Sequence, residues 1–208
     1  MASAEITTSS DNVIVIDTET TGLPTQTKYR EFFTPSNYSK YNTSRVIEIG
    51  YYIYSKDGSF IKKQDMLIIP DKFKIENTEI HGIKHEDAEL NGIPLFIALG
   101  QFGEDLKSCN TIVAHNLEFD FNVIQAECYR ILANGANALA RSIIEKMNGM
   151  KQICTIELAM EKLDRERKMR LVHLYEELKG IKWEQQHRAE DDARVCGECY
   201  WHLVNLDD

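Results

Sequence analysis

The chain has 208 residues, of which 43% are hydrophobic and 27% are charged, and its formal net charge at pH 7 is −9. These values predict a soluble globular protein with a sizeable core. No apolar run approaches the roughly 20 residues that span a bilayer, and residues 1–11 lack the layout of a signal peptide, so an intracellular location is expected. The acidic charge excludes a protein that binds long duplex DNA through a broad basic surface.

The first predicted element is a strand over residues 13–16, which are four consecutive β-branched apolar residues. Asp17 and Glu19 follow at the carboxyl end of this strand, where an open α/β sheet binds its ligand. Side chains two apart in an extended chain point to the same side, so these carboxylates can converge on one divalent cation. A plain polar turn closed by Gly22 and Pro24 is the alternative interpretation.

A long connection over residues 24–44 contains five aromatic residues and no clear helix: Tyr29, Phe32, Phe33, Tyr38 and Tyr41. Either the rings fix the connection to the core, or one or two of them stack on nucleobases. Residues 46–54 and 60–69 then predict two strands. The Asp57-Gly58 turn between them predicts that they pair in an antiparallel hairpin.

The rest of the chain alternates helical and extended patterns. Helices are expected over 84–92, 94–107, 118–133, 137–147, 156–163, 171–179 and 189–206, and short strands over 109–114 and 152–154. Thr155 is the expected cap of the helix that follows it. Residues 162–170 carry five basic side chains, which form either a solvated face or a phosphate contact.

The order of these elements predicts an α/β fold, in which a mixed sheet has helices on both faces. One domain is expected over residues 12–208, preceded by a disordered N-terminus over residues 1–11. The five cysteines are an odd number in apolar surroundings, which predicts reduced, mostly buried thiols.

Acidic side chains recur where strands meet helices. Asp120 is expected in the first turn of the helix after strand 109–114, and Asp192 near the start of the last helix, with His187 in the loop before it. Each alone has an ordinary interpretation, such as a partner of the helix dipole or a cap. Together with Asp17 and Glu19 they form a set suited to binding two divalent ions and deprotonating a water molecule.

Three motifs make the chain resemble the DEDD 3′–5′ exonucleases of the histidine-bearing branch, a family that includes the proofreading subunit of bacterial replicative polymerase. The motifs are Asp17-Thr-Glu-Thr-Thr-Gly22, His115-Asn-Leu-Glu-Phe-Asp120 and His187-Arg-Ala-Glu-Asp-Asp192. The resemblance covers about residues 12–204. It implies a ribonuclease-H-like fold, with a mixed five-stranded sheet that has one antiparallel strand.

The resemblance also implies roles for individual residues. The ligands of two Mg²⁺ or Mn²⁺ ions would be Asp17, Glu19, Asp120 and Asp192, with His187 as the general base. Substrate contacts would come from Thr20, Thr21, Gly22, Leu23, Glu76, His81, Asn116 and Phe119. For Leu23, a position in the core is the alternative. The 24–44 connection is longer than in compact proofreading members, so what covers the cleft stays open.

The expected function is metal-dependent hydrolysis of nucleic acid from its 3′ end, with release of 5′-mononucleotides. Single-stranded DNA or frayed ends are the favoured substrate. The alternatives are an exoribonuclease or oligoribonuclease acting on RNA 3′ ends, and a proofreading partner of a DNA polymerase. The expected partner is nucleic acid with a free 3′ end, and a polymerase or a second copy of the chain are further candidates. The motif residues do not separate DNA from RNA.

Overall fold

The computed structural model describes residues 11–28 and 31–206. The predicted disorder of residues 1–11 therefore lies outside the described residues, except at Asp11, and it stays a prediction. None of the helices in these two ranges combines the length and the hydrophobicity that a membrane span requires.

The centre of the fold is a mixed five-stranded sheet. Its strands are β1 (Asn12–Thr20), β4 (Val46–Tyr54), β5 (Phe60–Leu67), β6 (Cys109–Ala114) and β7 (Lys151–Cys154), while β2 (Gln26–Lys28) and β3 (Glu31–Phe32) pair separately. The order is β5-β4-β1-β6-β7. Strands β1, β6 and β7 are mutually parallel, and β4 is antiparallel to both of its neighbours. The predicted sheet with a single antiparallel strand is confirmed.

Helices cover both faces of this sheet. They are α1 (Thr78–His81), α2 (His85–Asn91), α3 (Leu95–Leu106), α4 (Leu117–Ala133), α5 (Ala138–Gly149), α6 (Thr155–Lys162), α7 (Leu171–Lys179) and α8 (Ala189–Val204). Successive residues of β1 point to opposite faces, so Ile14 and Ile16 join the core with α3, α4 and α5. Val13 and Val15 join a second core with α7 and α8. The prediction of helices on both faces is confirmed.

The close approach of α8 to β4 depends on Gly50. A Cβ atom at this position would lie 2.2 Å from the carbonyl carbon of Ala189, the first residue of α8. Because real Cβ atoms do not come that close to backbone, only glycine permits this packing. The contact places the start of α8 beside the central strands.

The 24–44 connection has more regular structure than predicted, since β2 and β3 form a small hairpin and a 3₁₀ helix spans Tyr38–Tyr41. Tyr41 is buried, and Phe33 and Tyr38 pack against the core. These three rings therefore fix the connection to the core. Tyr29 lies outside the described residues.

The predicted cap at Thr155 is wrong. The helix begins at Thr155 itself, with Cys154 in the preceding extended position. The Thr155 hydroxyl lies 2.9 Å from Nδ1 of His115, so it links α6 to the end of β6 instead of capping the helix. The antiparallel hairpin around Asp57-Gly58 is confirmed, and so are the reduced thiols: all five cysteines are free and four are buried.

Candidate active site

Asp120 of the second motif is hydrogen-bonded to Thr18 of the first motif, which is distant in sequence. Its Oδ1 atom accepts hydrogen bonds from the backbone N–H of Thr18 at 2.9 Å and from the Thr18 hydroxyl at 2.7 Å. Both side chains are buried. Because α4 starts directly after β6, this pair brings the second motif to the carboxyl end of β1, next to Asp17 and Glu19.

The third motif arrives from the start of α8. Ligand atoms of Glu19, His187 and Asp192 lie within 4.8 Å of one another, and Nδ1 of His187 is 3.9 Å from Oδ2 of Asp192. His187 has a positive φ of 51°, which is uncommon for a residue with a side chain and turns its ring into the cleft mouth. The structure therefore brings Glu19, His187 and Asp192 together, as the sequence predicts.

One oxygen of Asp192 has no hydrogen-bond partner in the part of the chain that the structure describes. Gln185 donates to Oδ2 at 2.6 Å, whereas Oδ1 is buried and unsatisfied among the described residues. A buried carboxylate oxygen without a donor is costly unless a cation accompanies it. Carboxylate oxygens with one imidazole suit a hard or borderline divalent ion, so this donor set fits the metal that the motifs imply.

The electrostatics of the cluster favour a bound cation. Burial, followed by repulsion from the neighbouring carboxylates, raises the pKa of Asp17 well above its ordinary value and that of Glu19 to about 9. Burial likewise raises the pKa of Asp120 to about 7 and that of Asp192 to about 6, although donors from Thr18 and Gln185 oppose the shift. These acids therefore resist being charged together without a positive partner.

His187 is suited to accepting a proton. Burial, with a smaller contribution from the nearby Arg170 guanidinium, lowers its pKa below the ordinary value of 6.5. The ring is therefore neutral at neutral pH, and a neutral imidazole is the form that can act as a base. It sits beside the carboxylates without being enclosed by them.

Glu48 is a buried carboxylate of this site that sequence reasoning missed. Its side chain is fully inaccessible, it accepts from Nε of Arg188 at 3.0 Å and 3.1 Å, and it accepts from the backbone N–H of Ala189 at 2.8 Å. Its charge contributes to the raised pKa values of Asp17 and Glu19. The signal in the sequence is a glutamate inside an otherwise uncharged strand.

The residues predicted to contact substrate fall around two neighbouring clefts. A cleft of about 490 Å³ lies over Asp17 and His187 and includes Asn116 and Leu23. A second, of about 500 Å³, is lined by Thr21, Gly22, Leu23, Glu76 and Asn77. Leu23 is 69% exposed, so its alternative placement in the core is wrong.

The other predicted contacts are less accessible. Thr20 is buried and donates its hydroxyl to the carbonyl of Gly22 at 2.8 Å. His81 is buried, with Nδ1 accepting from the backbone N–H of Ile83 at 3.1 Å and Nε2 without a partner among the described residues. Phe119 is half-buried on α4 beside the ring of Phe32.

A ribonuclease-H-like sheet with acidic side chains at the end of its central strand and a histidine beside them is typical of nucleic-acid hydrolases. The family model of the RNase_T exonucleases matches residues 14–200, most of the chain, and the chain belongs to this family. It is a 3′–5′ exonuclease of the DEDD type.

A curated relative is the DNA polymerase III subunit epsilon of Treponema pallidum (strain Nichols). It is 28% identical over 190 residues, which are 90% of this chain and 74% of the relative.

The fold is similar to that of exonuclease I. The Escherichia coli enzyme in complex with a dT13 oligonucleotide superposes with a TM-score of 0.66 at 16% identity, covering 94% of this chain and 41% of that one. Exonuclease I of Methylocaldum szegediense gives a TM-score of 0.64 at 17% identity, covering 93% and 40%. The chain therefore spans about two fifths of the length of these enzymes.

Proposed function

We propose that this chain hydrolyses single-stranded DNA from the 3′ end with two divalent ions, Mg²⁺ or Mn²⁺, and releases 5′-mononucleotides. The observation that carries the proposal is the cluster of carboxylates with raised pKa values next to a neutral His187. In this cluster one buried oxygen of Asp192 lacks a donor among the described residues. The preference for DNA is supported by likeness to exonuclease I structures that contain dT13 and dA16 oligonucleotides.

In this mechanism the ions would be held by Asp17, Glu19, Asp120 and Asp192. Two bound divalent ions would offset the negative charge of the phosphodiester and lower the pKa of a water molecule. His187 takes the proton of the attacking water, for which a pKa below neutrality leaves the ring ready as a base. The water oxygen forms a bond to phosphorus while the bond from phosphorus to the 3′-oxygen of the preceding nucleotide breaks, and that oxygen takes up a proton to become the new 3′-hydroxyl.

The segment of residues 21–23, which follows β1, would hold the terminal nucleotide. The backbone N–H of Thr21 donates to the carbonyl oxygen of Arg45 at 2.9 Å, which fixes this segment. The exposed side chain of Leu23 can press against the last base, and Glu76 lines the same cleft. Gly22, with φ of 152°, lets the backbone come close to the substrate. Thr20, His81, Asn116 and Phe119 are proposed to support this subsite.

The test is digestion of matched DNA and RNA oligonucleotides, labelled at the 5′ end, with Mg²⁺, Mn²⁺ or EDTA. We expect progressive shortening of DNA from the 3′ end and release of 5′-mononucleotides, with none in EDTA. The Asp17→Asn variant should be inactive. Faster digestion of RNA would assign the chain as an exoribonuclease, and activity that persists in Asp17→Asn would refute the site.

Association with a polymerase is a second candidate role, because the relative from Treponema pallidum is a polymerase subunit. Gel filtration of the purified chain with a replicative polymerase catalytic subunit tests it. A shared peak would support a proofreading partner, and separate peaks would support an enzyme that acts without the polymerase. The elution volume of the chain by itself then distinguishes a monomer from a homodimer.

A further inference from the structure

We propose that Phe32, Lys168 and Arg170 form a subsite for the nucleotides upstream of the scissile phosphate, with the ring stacking on a base and the two cations binding backbone phosphates. This inference rests on the proposed function, because it assumes that the strand reaches the carboxylates with its 3′ end. It assigns a role to the 24–44 connection and to the basic segment 162–170.

A continuous groove leads away from the carboxylates along these residues. The cleft over Asp17 and His187 is also lined by Phe32, Lys168 and Arg170. A neighbouring cleft of about 570 Å³ shares Phe32 and Lys168 with it and continues to Cys154. The groove therefore has room for more than the reacting nucleotide.

Phe32 is a ring of the 24–44 connection that lines both clefts of this groove. Pairing of β3 with β2 sets Phe32 opposite Gln26, and both line the cleft. Its ring is half-buried and lies 6.2 Å from that of Phe119, at an interplanar angle of 57°. A ring supported on one side and open on the other is suited to stacking on a base of any sequence.

Lys168 and Arg170 supply positive charge in an acidic protein. Both side chains are exposed, and among the described residues neither forms an ion pair, whereas Arg165 in the same segment is paired with Glu177. The exposed carboxylates of Glu118 and Glu157 line the same groove and oppose anion binding in part. The two cations equal these two carboxylates in number, so phosphate binding in the groove depends on the local charge of Lys168 and Arg170.

His115 fixes the basic segment at this position. Its Nε2 atom lies 3.0 Å from the carbonyl oxygen of Met169, between the two cations, and its Nδ1 is linked to Thr155 on α6. Burial lowers the pKa of His115 to about 4, so the ring is a neutral tether at neutral pH. The cations therefore project from a backbone that is attached to the end of β6.

The experiment measures binding without turnover. Fluorescence anisotropy, with Ca²⁺ in place of Mg²⁺, gives the affinity for a 5′-labelled thymidine tetranucleotide, and competition gives the affinity for thymidine 5′-monophosphate. We expect Phe32→Leu and Lys168→Ala each to weaken tetranucleotide binding about tenfold and to leave monophosphate binding within about twofold. Phe32→Tyr should restore stacking, and Arg167→Ala, an adjacent cation outside the groove, should bind like the wild type.

The salt dependence separates the two contacts. Lys168→Ala should lower the slope of log affinity against log salt by about 0.7, the value for one phosphate contact on a single strand, and Phe32→Leu should leave it unchanged. Equal losses in Lys168→Ala and Arg167→Ala, or wild-type affinity in both groove variants, would overturn the subsite. A wild-type chain that binds as expected but cleaves nothing in Mg²⁺ would refute the proposed function alone.

Discussion

The carboxylate of Glu48 on β4 and the guanidinium of Arg188 form an ion pair that fixes the start of α8. Glu48 is fully buried and also accepts the backbone N–H of Ala189, while Arg188 stays partly exposed and reaches Asp65 at 3.8 Å. His187 precedes this pair directly, and Asp192 lies one turn beyond it. The geometry of the third motif is therefore set by a residue outside all three motifs.

Glu48→Ala should destabilise the fold. The Ala189 N–H would lose its acceptor in a buried position, and Arg188 would lose its partner, so we expect the free energy of unfolding to fall by about 2 kcal/mol. Urea denaturation measures it. The control is Lys63→Ala, which removes an exposed ion-pair partner of Glu190 on α8. It should lower the free energy of unfolding by less than about 1 kcal/mol. If both variants lose the same free energy of unfolding, the contact between Glu48 and Arg188 contributes no more than an ordinary surface ion pair.

Elements with a strong local signal were predictable. Strand β6 is a largely apolar run of six residues that is followed by His115. Helix α7 begins at Leu171 and is closed by Gly180, which adopts the left-handed conformation expected of a C-terminal cap. Both have the bounds predicted from the sequence. Helix α1 was missed, because four residues between the left-handed Asn77 and Gly82 are too few for a periodic pattern.

Contacts between distant parts of the chain were only partly predictable. The motifs placed Asp120 near Asp17 through family resemblance, but the hydrogen bonds from Thr18 that hold it there have no local signature. The position of Phe32 in the groove depends on its pairing with Gln26. The two strands that pair here are too short to be recognised from alternating polar and apolar residues. Such features follow from tertiary packing, which single-sequence patterns do not encode.

Asp17→Asn should stabilise the metal-free protein while abolishing its response to metal. Burial and the surrounding carboxylates raise the pKa of Asp17, so its charge destabilises the fold when no cation is bound. We expect a higher melting temperature than wild type in EDTA, and little increase on adding Mn²⁺. Thermal denaturation with and without Mn²⁺ measures both. A lower melting temperature in EDTA would mean that the carboxylate has a structural role.

The stability of the metal-free protein should fall as the pH rises from about 4 to about 9. Glu19, Asp120 and Asp192 have folded-state pKa values of about 9, 7 and 6, all above the ordinary values of 4.5 and 3.8. The folded state therefore binds more protons than the unfolded state in this window, and the stabilisation present below pH 4 is lost through the folded pKa values.

Urea denaturation across this pH range, in EDTA and in saturating Mg²⁺, tests this expectation. Bound cations favour the charged carboxylates, so the decline should flatten in Mg²⁺. Asp57 is a useful contrast, because hydrogen bonds lower its pKa and its contribution has the opposite sign. A decline that is the same with and without Mg²⁺ would show that the cations do not bind among these acids.

His187→Ala should separate the base from the ligands. Loss of a general base costs about 10²–10⁴-fold in kcat, and the acidic limb of the rate profile, set by a pKa below 6.5, should disappear with it. Because Nδ1 of His187 lies 3.9 Å from Oδ2 of Asp192, the ring could instead bind the cation directly. Calorimetric titration with Mn²⁺ decides between the roles: unchanged affinity in His187→Ala supports the base, and a clear loss of affinity makes His187 a ligand.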